Sequence, residues 1–241
     1  MDADLFAHGP QSCRACFNGS QADELQFDEW RLVNNPGYYG SSTPSTLILG
    51  FSKGANQNRM AARGNFDSIA FANARHRLQA ILSRLGLMPA DRSIDALMTA
   101  QEKEFSVTSL VRCSLSKLQN GKWVTSGNVI PTAFRNKDCS TIIGRCAARH
   151  LGELPPNVQT VLLLGNDDRY VRQIRILIHA LHPDYFKIND MAFMAGGAVW
   201  VHTTHPSPGN GHFNSWINGS PDTAAGRKRE MALQALEGHD T

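Results

Sequence analysis

Residues 198–210 read Ala-Val-Trp-Val-His-Thr-Thr-His-Pro-Ser-Pro-Gly-Asn. Ala198, Val199, Trp200 and Val201 form an apolar run that predicts a buried strand. The chain then turns polar at once. Pro206 and Pro208 fix φ and delete amide donors, so the segment after His205 is a rigid loop, neither a helix start nor a strand. A rigid loop at the carboxyl end of a strand, carrying an imidazole and a hydroxyl, is a place to hold a catalytic group still. Taken alone, the same stretch also reads as a surface turn that contains a histidine.

Working outward, three more apolar runs have strand character: Thr46–Gly50, Phe105–Cys113 and Val158–Leu164. Helical periodicity separates them. One long helix runs from a cap at Asp67 or Ser68 to Leu85, a second from Ser140 to Leu154, stopped by Pro155-Pro156. A third spans Asp168–Leu181 and a fourth Ala224–Leu236. Residues 17–44 read as loop, with Asn34-Asn35-Pro36-Gly37 a turn, and residues 114–137 read as a polar loop. Strand–helix alternation predicts a parallel sheet with helices on both faces. The expected fold is therefore a three-layer α/β/α domain over residues 1–241 with a central four-stranded, mainly parallel sheet. Residues 1–44 form its N-terminal segment. Each distinctive loop follows a strand (Phe51–Asn58, Arg112–Cys113, Gly165–Asp168, His205–Asn210), which gathers them at one sheet edge. Gly50 and Gly54 allow close backbone approach to a ligand, but the segment lacks the ending of a phosphate-binding Walker loop.

With 241 residues, 41% hydrophobic, the chain can bury one substantial core, and a net charge of +3 requires any basic face to be local. The acidic start Met-Asp-Ala-Asp-Leu lacks the order of a signal peptide, and no apolar run is long enough to cross a membrane. A cytosolic protein is expected. Five cysteines in a reducing compartment suggest metal binding or redox chemistry. Cys13-Arg-Ala-Cys16 can present two thiolates to one metal, or be a redox pair, or be incidental; the redox reading lacks a preceding strand and following helix.

With these residues in place, nearly the whole chain resembles the uracil-DNA glycosylase superfamily, most closely its iron–sulfur families 4 and 5. His205-Pro206-Ser207-Pro208 is similar to the superfamily's second motif, which carries its catalytic histidine. Asn210 is similar to an Asn that follows that histidine in family 5. Leu49-Gly50-Phe51-Ser52-Lys53-Gly54 stands where the first motif stands. Phe66 occupies the place of the aromatic that stacks on uracil, and Val111-Arg112-Cys113 resembles the strand that ends in the third cluster cysteine. The departures are Ser52 at the position of the catalytic Asp, Ser109 where an Asn reads uracil, Lys53 for the first motif's proline, and Gly54 where uracil-strict relatives place Tyr.

The resemblance implies hydrolysis of the N-glycosidic bond of uracil, or other deaminated bases, in DNA by a monofunctional, monomeric enzyme. His205 would donate as a neutral imidazole to the departing base, Ser52 would hold a water, and Asp67 would orient that water or only cap a helix. Gly50, Phe51, Phe66 and Ser109 would form the base pocket, with Asn56 or Asn58 as substitutes for the missing amide; Ser207 and Asn210 would hold phosphates. Phe213 or Trp216, at an apolar loop tip, would either wedge into the base stack or pack on the protein itself. Arg227-Lys228-Arg229 reads as a solvated helix start. The resemblance also implies a 4Fe-4S cluster on Cys13, Cys16, Cys113 and Cys146, with zinc as the rival metal and Cys139 as the rival fourth ligand. A DNA-binding module without hydrolysis and an iron–sulfur redox protein are the competing functions.

Overall fold

The structure, a computed structural model, describes residues 3–18, 20–54, 57, 65–125, 127 and 129–238. Its strands are β1 (Gly9–Pro10), β2 (Glu24–Phe27), β3 (Trp30–Val33), β4 (Gly37–Gly40), β5 (Thr46–Ser52), β6 (Phe105–Val111), β7 (Ser114–Gln119), β8 (Lys122–Val124), β9 (Thr160–Leu164), β10 (Phe186–Lys187), β11 (Ala192–Ala195) and β12 (Ala198–Thr203). Its α-helices are α1 (Arg75–Arg84), α2 (Val129–Arg135), α3 (Lys137–Leu151), α4 (Asp168–Leu181), α5 (Phe213–Asn218) and α6 (Ala224–Glu237).

The expected strands are β5, β6, β9 and β12. They pair in parallel in the order β6-β5-β9-β12. Antiparallel partners extend this block at both edges, giving an eight-stranded sheet of order β1-β4-β6-β5-β9-β12-β11-β10. The strands of the block are apolar on both faces because both are covered. Leu47 and Leu49 point into one core cluster while Ile48 points into the other, the period-2 alternation of a strand. Helices α2, α3 and α4 pack into the first cluster through Val129, Ala133, Ile143, Ala147, Ile174 and Ile178. Helices α1, α5 and α6 pack into the second through Leu78, Ile81, Trp216 and Ala235. This is the three-layer α/β/α arrangement. Each buried aliphatic side chain contributes roughly 1.5–3 kcal/mol.

The chain enters the block at β5, turns one way to β6, then crosses back past β5 to β9 and on to β12. The direction reverses between β5 and β9. Open α/β sheets bind ligands beyond the carboxyl ends of the strands at such a point.

Several expectations are corrected. Residues 17–44 contribute β2, β3 and β4, and residues 114–137 contribute β7, β8 and α2. Strands β2, β3, β7 and β8 make a second, four-stranded antiparallel sheet. The long helix starting at Asp67 or Ser68 is broken. A 3-10 turn at Phe66–Ser68 is capped by the Asn65 side chain, which accepts from Asp67 N; turns follow, with Phe71 at φ 51°, and α1 begins only at Arg75. A left-handed φ at Phe71 interrupts the i→i−4 ladder, so Asp67 caps no α-helix. The apolar tip at residues 213–216 is the start of α5, with Phe213 and Trp216 buried in the second core cluster, so neither is a wedge. Arg229 is buried and donates to the carbonyl oxygens of Trp216, Ile217 and Gly219; it is not part of a solvated helix start. Among the described residues, no helix is long and apolar enough to cross a membrane.

Candidate active site

A cleft of ≈ 1000 Å³ opens beyond the carboxyl ends of β5 and β9, at the reversal point of the sheet. Of the nine residues expected to act in catalysis or substrate binding, seven line it: Gly50, Phe51, Ser52, Ser109, His205, Ser207 and Asn210. Gly50 pairs with Ser109 across β5 and β6. A Cβ on Gly50 would lie 3.6 Å from Ser109 Oγ, in ordinary van der Waals contact. Ser52 Oγ donates weakly to Leu115 O at 3.5 Å. Asn56 and Asn58 lie outside the described residues.

The ring of His205 is held in one tautomer. The backbone N–H of Ser207 donates to His205 Nδ1 at 3.0 Å. A backbone N–H only donates, so Nδ1 is the acceptor and the proton of the neutral ring sits on Nε2. Burial pushes the imidazole pKa down to about 4 because the charged form loses its hydration there. The loop holds this ring from several sides. Asn210 Nδ2 donates to Thr204 Oγ1 (2.9 Å) and His205 O (2.8 Å), and Asn210 Oδ1 accepts from His212 N (3.0 Å). The Asn210 amide is thereby spent inside the loop; it shapes the loop and is not left free to hold a phosphate. Arg77 Nη1 donates to Ser207 O from α1, its guanidinium 4.3 Å from the Phe213 ring centroid.

Phe66 and Asp67 fall outside the cleft lining. Phe66 stacks on Tyr39 at 4.2 Å and meets His8 edge-on at 5.4 Å. His8 Nδ1 accepts from Gly40 N, so its Nε2–H donates to Asp67 Oδ1 at 3.0 Å. That contact occupies the carboxylate expected to orient a water. The cleft holds other groups that sequence reasoning missed. Phe71, half-buried and at φ 51°, lines it, as do Tyr39 and Lys53. The cleft carboxylates are Asp167 and Asp168. Asp167 Oδ1 caps α4 by accepting from Arg169 N and Tyr170 N, and Asp168 pairs with Lys228 Nζ at 2.6 Å. Burial pushes the Lys53 ammonium down to about 8.

The cysteines form a second constellation. Cys13, Cys16, Cys113 and Cys146 all line one small cavity with Arg112 and His150. Cys139 does not; it lies on α3 with its side chain fully buried in the apolar core. The thiols of Cys113 and Cys146 are pushed up to about 11 and 12 by burial. The backbone N–H of Arg112 donates to Cys146 Sγ at 3.4 Å. Arg112 is 1% exposed, and its Nε and Nη2 have no hydrogen-bond partner among the described residues, nor has either ring nitrogen of His150. A buried cation with unmet donors beside four thiols suits an anionic occupant. Among the described residues, no three His, Cys, Asp or Glu side chains close around a single point as one metal ion would require; the thiols surround a space.

Fold and site define a mixed α/β protein with a cleft at the carboxyl edge of a parallel block and a rigid histidine loop over it. No protein-family model matches the chain, and no curated protein matches it. Among solved structures, the chain is similar to wild-type SMUG2 of Pedobacter heparinus, with a TM-score of 0.44 and 10% sequence identity over 93% of this chain and 94% of that one.

Proposed function

We propose that this chain is a DNA glycosylase that hydrolyses the N-glycosidic bond of uracil, and of other deaminated bases, leaving an abasic site. The observation that carries the reading is His205: a neutral imidazole, its Nδ1 tied to Ser207 N and its Nε2–H left as the donor, on a rigid loop at a strand end in the cleft. Breaking the bond places negative charge on the leaving base, and a preorganised donor aimed at that charge supplies much of the acceleration. The carboxylates support the same division of labour. Asp67 is held by His8, Asp167 by the α4 amides and Asp168 by Lys228, which favours leaving-group stabilisation over general-base catalysis. Ser52 would position the water. Phe71 takes over from Phe66 as the ring available to an extruded base, since Phe66 is stacked on Tyr39.

The four thiols that border one cavity would hold a 4Fe-4S cluster, and the unmet Arg112 donors fit its negative charge. Such a cluster would supply no turnover chemistry; Cys13 and Cys16 of the N-terminal segment would be tied through it to Cys113 after β6 and Cys146 on α3.

Matched oligonucleotides carrying uracil, hypoxanthine, xanthine or thymine test the reading, with alkali cleavage reporting abasic sites. Uracil should be released fastest. Ser109 offers fewer directed contacts than an amide, and a pocket with fewer polar groups to leave unpaired discriminates less; hypoxanthine or xanthine should therefore also be released. Binding without release of any base would make the chain a DNA-binding module. Release of uracil alone would overturn the relaxed pocket.

The pH dependence follows from His205. Its folded-state pKa is depressed to about 4, so the neutral donor is fully present near neutrality and is lost only as pH falls toward that value. Single-turnover excision should show no inflection near the ordinary histidine pKa of about 6.5. Activity that falls as pH rises through that value would show that His205 acts as a cation.

A further inference from the structure

We propose that His150 and Arg112 donate hydrogen bonds to the sulfurs of the group held by Cys13, Cys16, Cys113 and Cys146, and so set its reduction potential. The proposal rests on the reading of those four thiols as a 4Fe-4S site. Arg112 and His150 are each 1% exposed. Both line the cavity that the four cysteines line, and every other side chain of that lining is apolar. Nε and Nη2 of Arg112 and both ring nitrogens of His150 have no hydrogen-bond partner among the described residues. An imidazole carries at least one N–H in either tautomer, so both residues bring unmet donors to the same space. Buried donors are met by an acceptor in folded proteins, and in an apolar cavity bordered by four thiols that acceptor is sulfur.

The local structure fixes where these donors stand. His150 follows Cys146 by four residues on α3, so the imidazole sits one turn along from the thiol on the same face of the helix. Arg112 directly precedes Cys113, and its backbone N–H already donates to Cys146 Sγ at 3.4 Å. Arg112 Nη1 is spent on the N-terminal segment, where it donates to Leu5 O and Gln11 Oε1. The Tyr38 and Phe6 rings hold the guanidinium, with centroids 5.2 and 5.7 Å from Cζ. Nε and Nη2 are what remains for the cavity. Anchoring the N-terminal segment accounts for Nη1 alone. His150 makes no hydrogen bond within the described residues, and an apolar side chain would fill its place at lower cost unless an occupant meets its nitrogens.

The sign of the effect follows from charge. The reduced form of a cluster carries one more negative charge than the oxidised form. An N–H dipole and a buried cation aimed at its sulfurs favour the reduced form and raise the potential. The step that reads this is the passage of one electron between an electrode and the cluster, with no bond formed or broken.

The test is thin-film voltammetry of the iron-loaded full-length protein, with iron content and visible absorbance reporting the cluster. His150→Phe keeps a ring and removes both nitrogens. It should retain its iron and shift the one-electron equilibrium about tenfold toward the oxidised form, a potential about 59 mV more negative. Arg112→Gln, which removes the charge, should shift the potential further in the same direction, because charge-assisted hydrogen bonds are the stronger ones. His150→Gln, which restores an N–H, should return the potential toward that of the unaltered protein. Unchanged potentials in His150→Phe and Arg112→Gln overturn the proposal and leave the cluster standing. If His150→Phe loses its iron, iron retained in His150→Gln at the potential of the unaltered protein supports the proposal; equal loss in both makes His150 a packing residue and overturns it. Unaltered protein that holds no iron–sulfur cluster overturns the proposal and the four-thiol reading together, whatever its action on DNA.

Discussion

His205→Ala should lower single-turnover excision on the order of a hundred- to a thousandfold, the loss typical of removing one preorganised donor, while DNA affinity changes little. The substitution deletes the Nε2–H donor and empties the acceptor of the Ser207 N–H. It leaves the loop's other supports in place: Pro206 and Pro208, the Asn210 amide bonds to Thr204 and His205 O, and the Arg77 contact to Ser207 O. The peptide carbonyl that Asn210 holds survives in alanine. A large rate loss in a protein with an unchanged melting curve therefore reports lost chemistry. A variant with a near-normal rate would remove His205 from the centre of the mechanism.

Replacing Cys146 by alanine should abolish metal binding, while Cys139→Ala should leave it intact. Purified protein should be brown, with about four irons per chain. The two cysteines sit on the same helix, α3, but in different surroundings. Cys146 meets the cavity shared with Cys13, Cys16 and Cys113; Cys139 is enclosed in the apolar core. Iron and zinc analysis with visible absorbance checks both variants. Colourless protein holding one zinc would refute the cluster and keep the four-cysteine site. Metal retained in Cys146→Ala but lost in Cys139→Ala would reverse the ligand assignment. Loss of the cluster should also expose the N-terminal segment to proteolysis, because Cys13 and Cys16 would no longer be tied to Cys113 and Cys146.

The elements legible in the sequence are those whose signal is local. Strands β5 and β9 are nearly continuous apolar runs, and β6 and β12 are rich in apolar residues, as strands covered on both faces tend to be. Helix α4 begins at a capping Asp167 and presents Tyr170, Val171, Ile174 and Ile178 at helical spacing to the core. The prolines of the His205 loop announce its rigidity, and the strand–helix alternation places that loop beside Gly50, Ser52 and Ser109. The second sheet lacks so strong a signal: β2 and β8 are short and bury no residue fully, and β7 has only two apolar residues, Leu115 and Leu118, among six. One local cue was there, Asn120-Gly121 at φ 49° and 73°, the dipeptide of a tight hairpin turn.

By itself the sequence determined a parallel block with helices on both faces and a rigid histidine loop at its edge, because covered strands and proline loops follow from residue type at short range. It also contained the cysteines now found around one cavity, though their convergence is a long-range fact. Only the tertiary structure decided which aromatic ring meets the cleft. Phe66 and Phe71 lie in one short segment, and the left-handed backbone at Phe71 together with the Tyr39 ring under Phe66 separates them. The same holds for the charges. Asp67 is engaged because β1 and β4 bring His8 to it, and Lys53 is engaged because the Asn34-Asn35 turn offers it a carbonyl. Whether an ionisable side chain is spent or available depends on partners dozens of residues away, and local pattern carries no record of them.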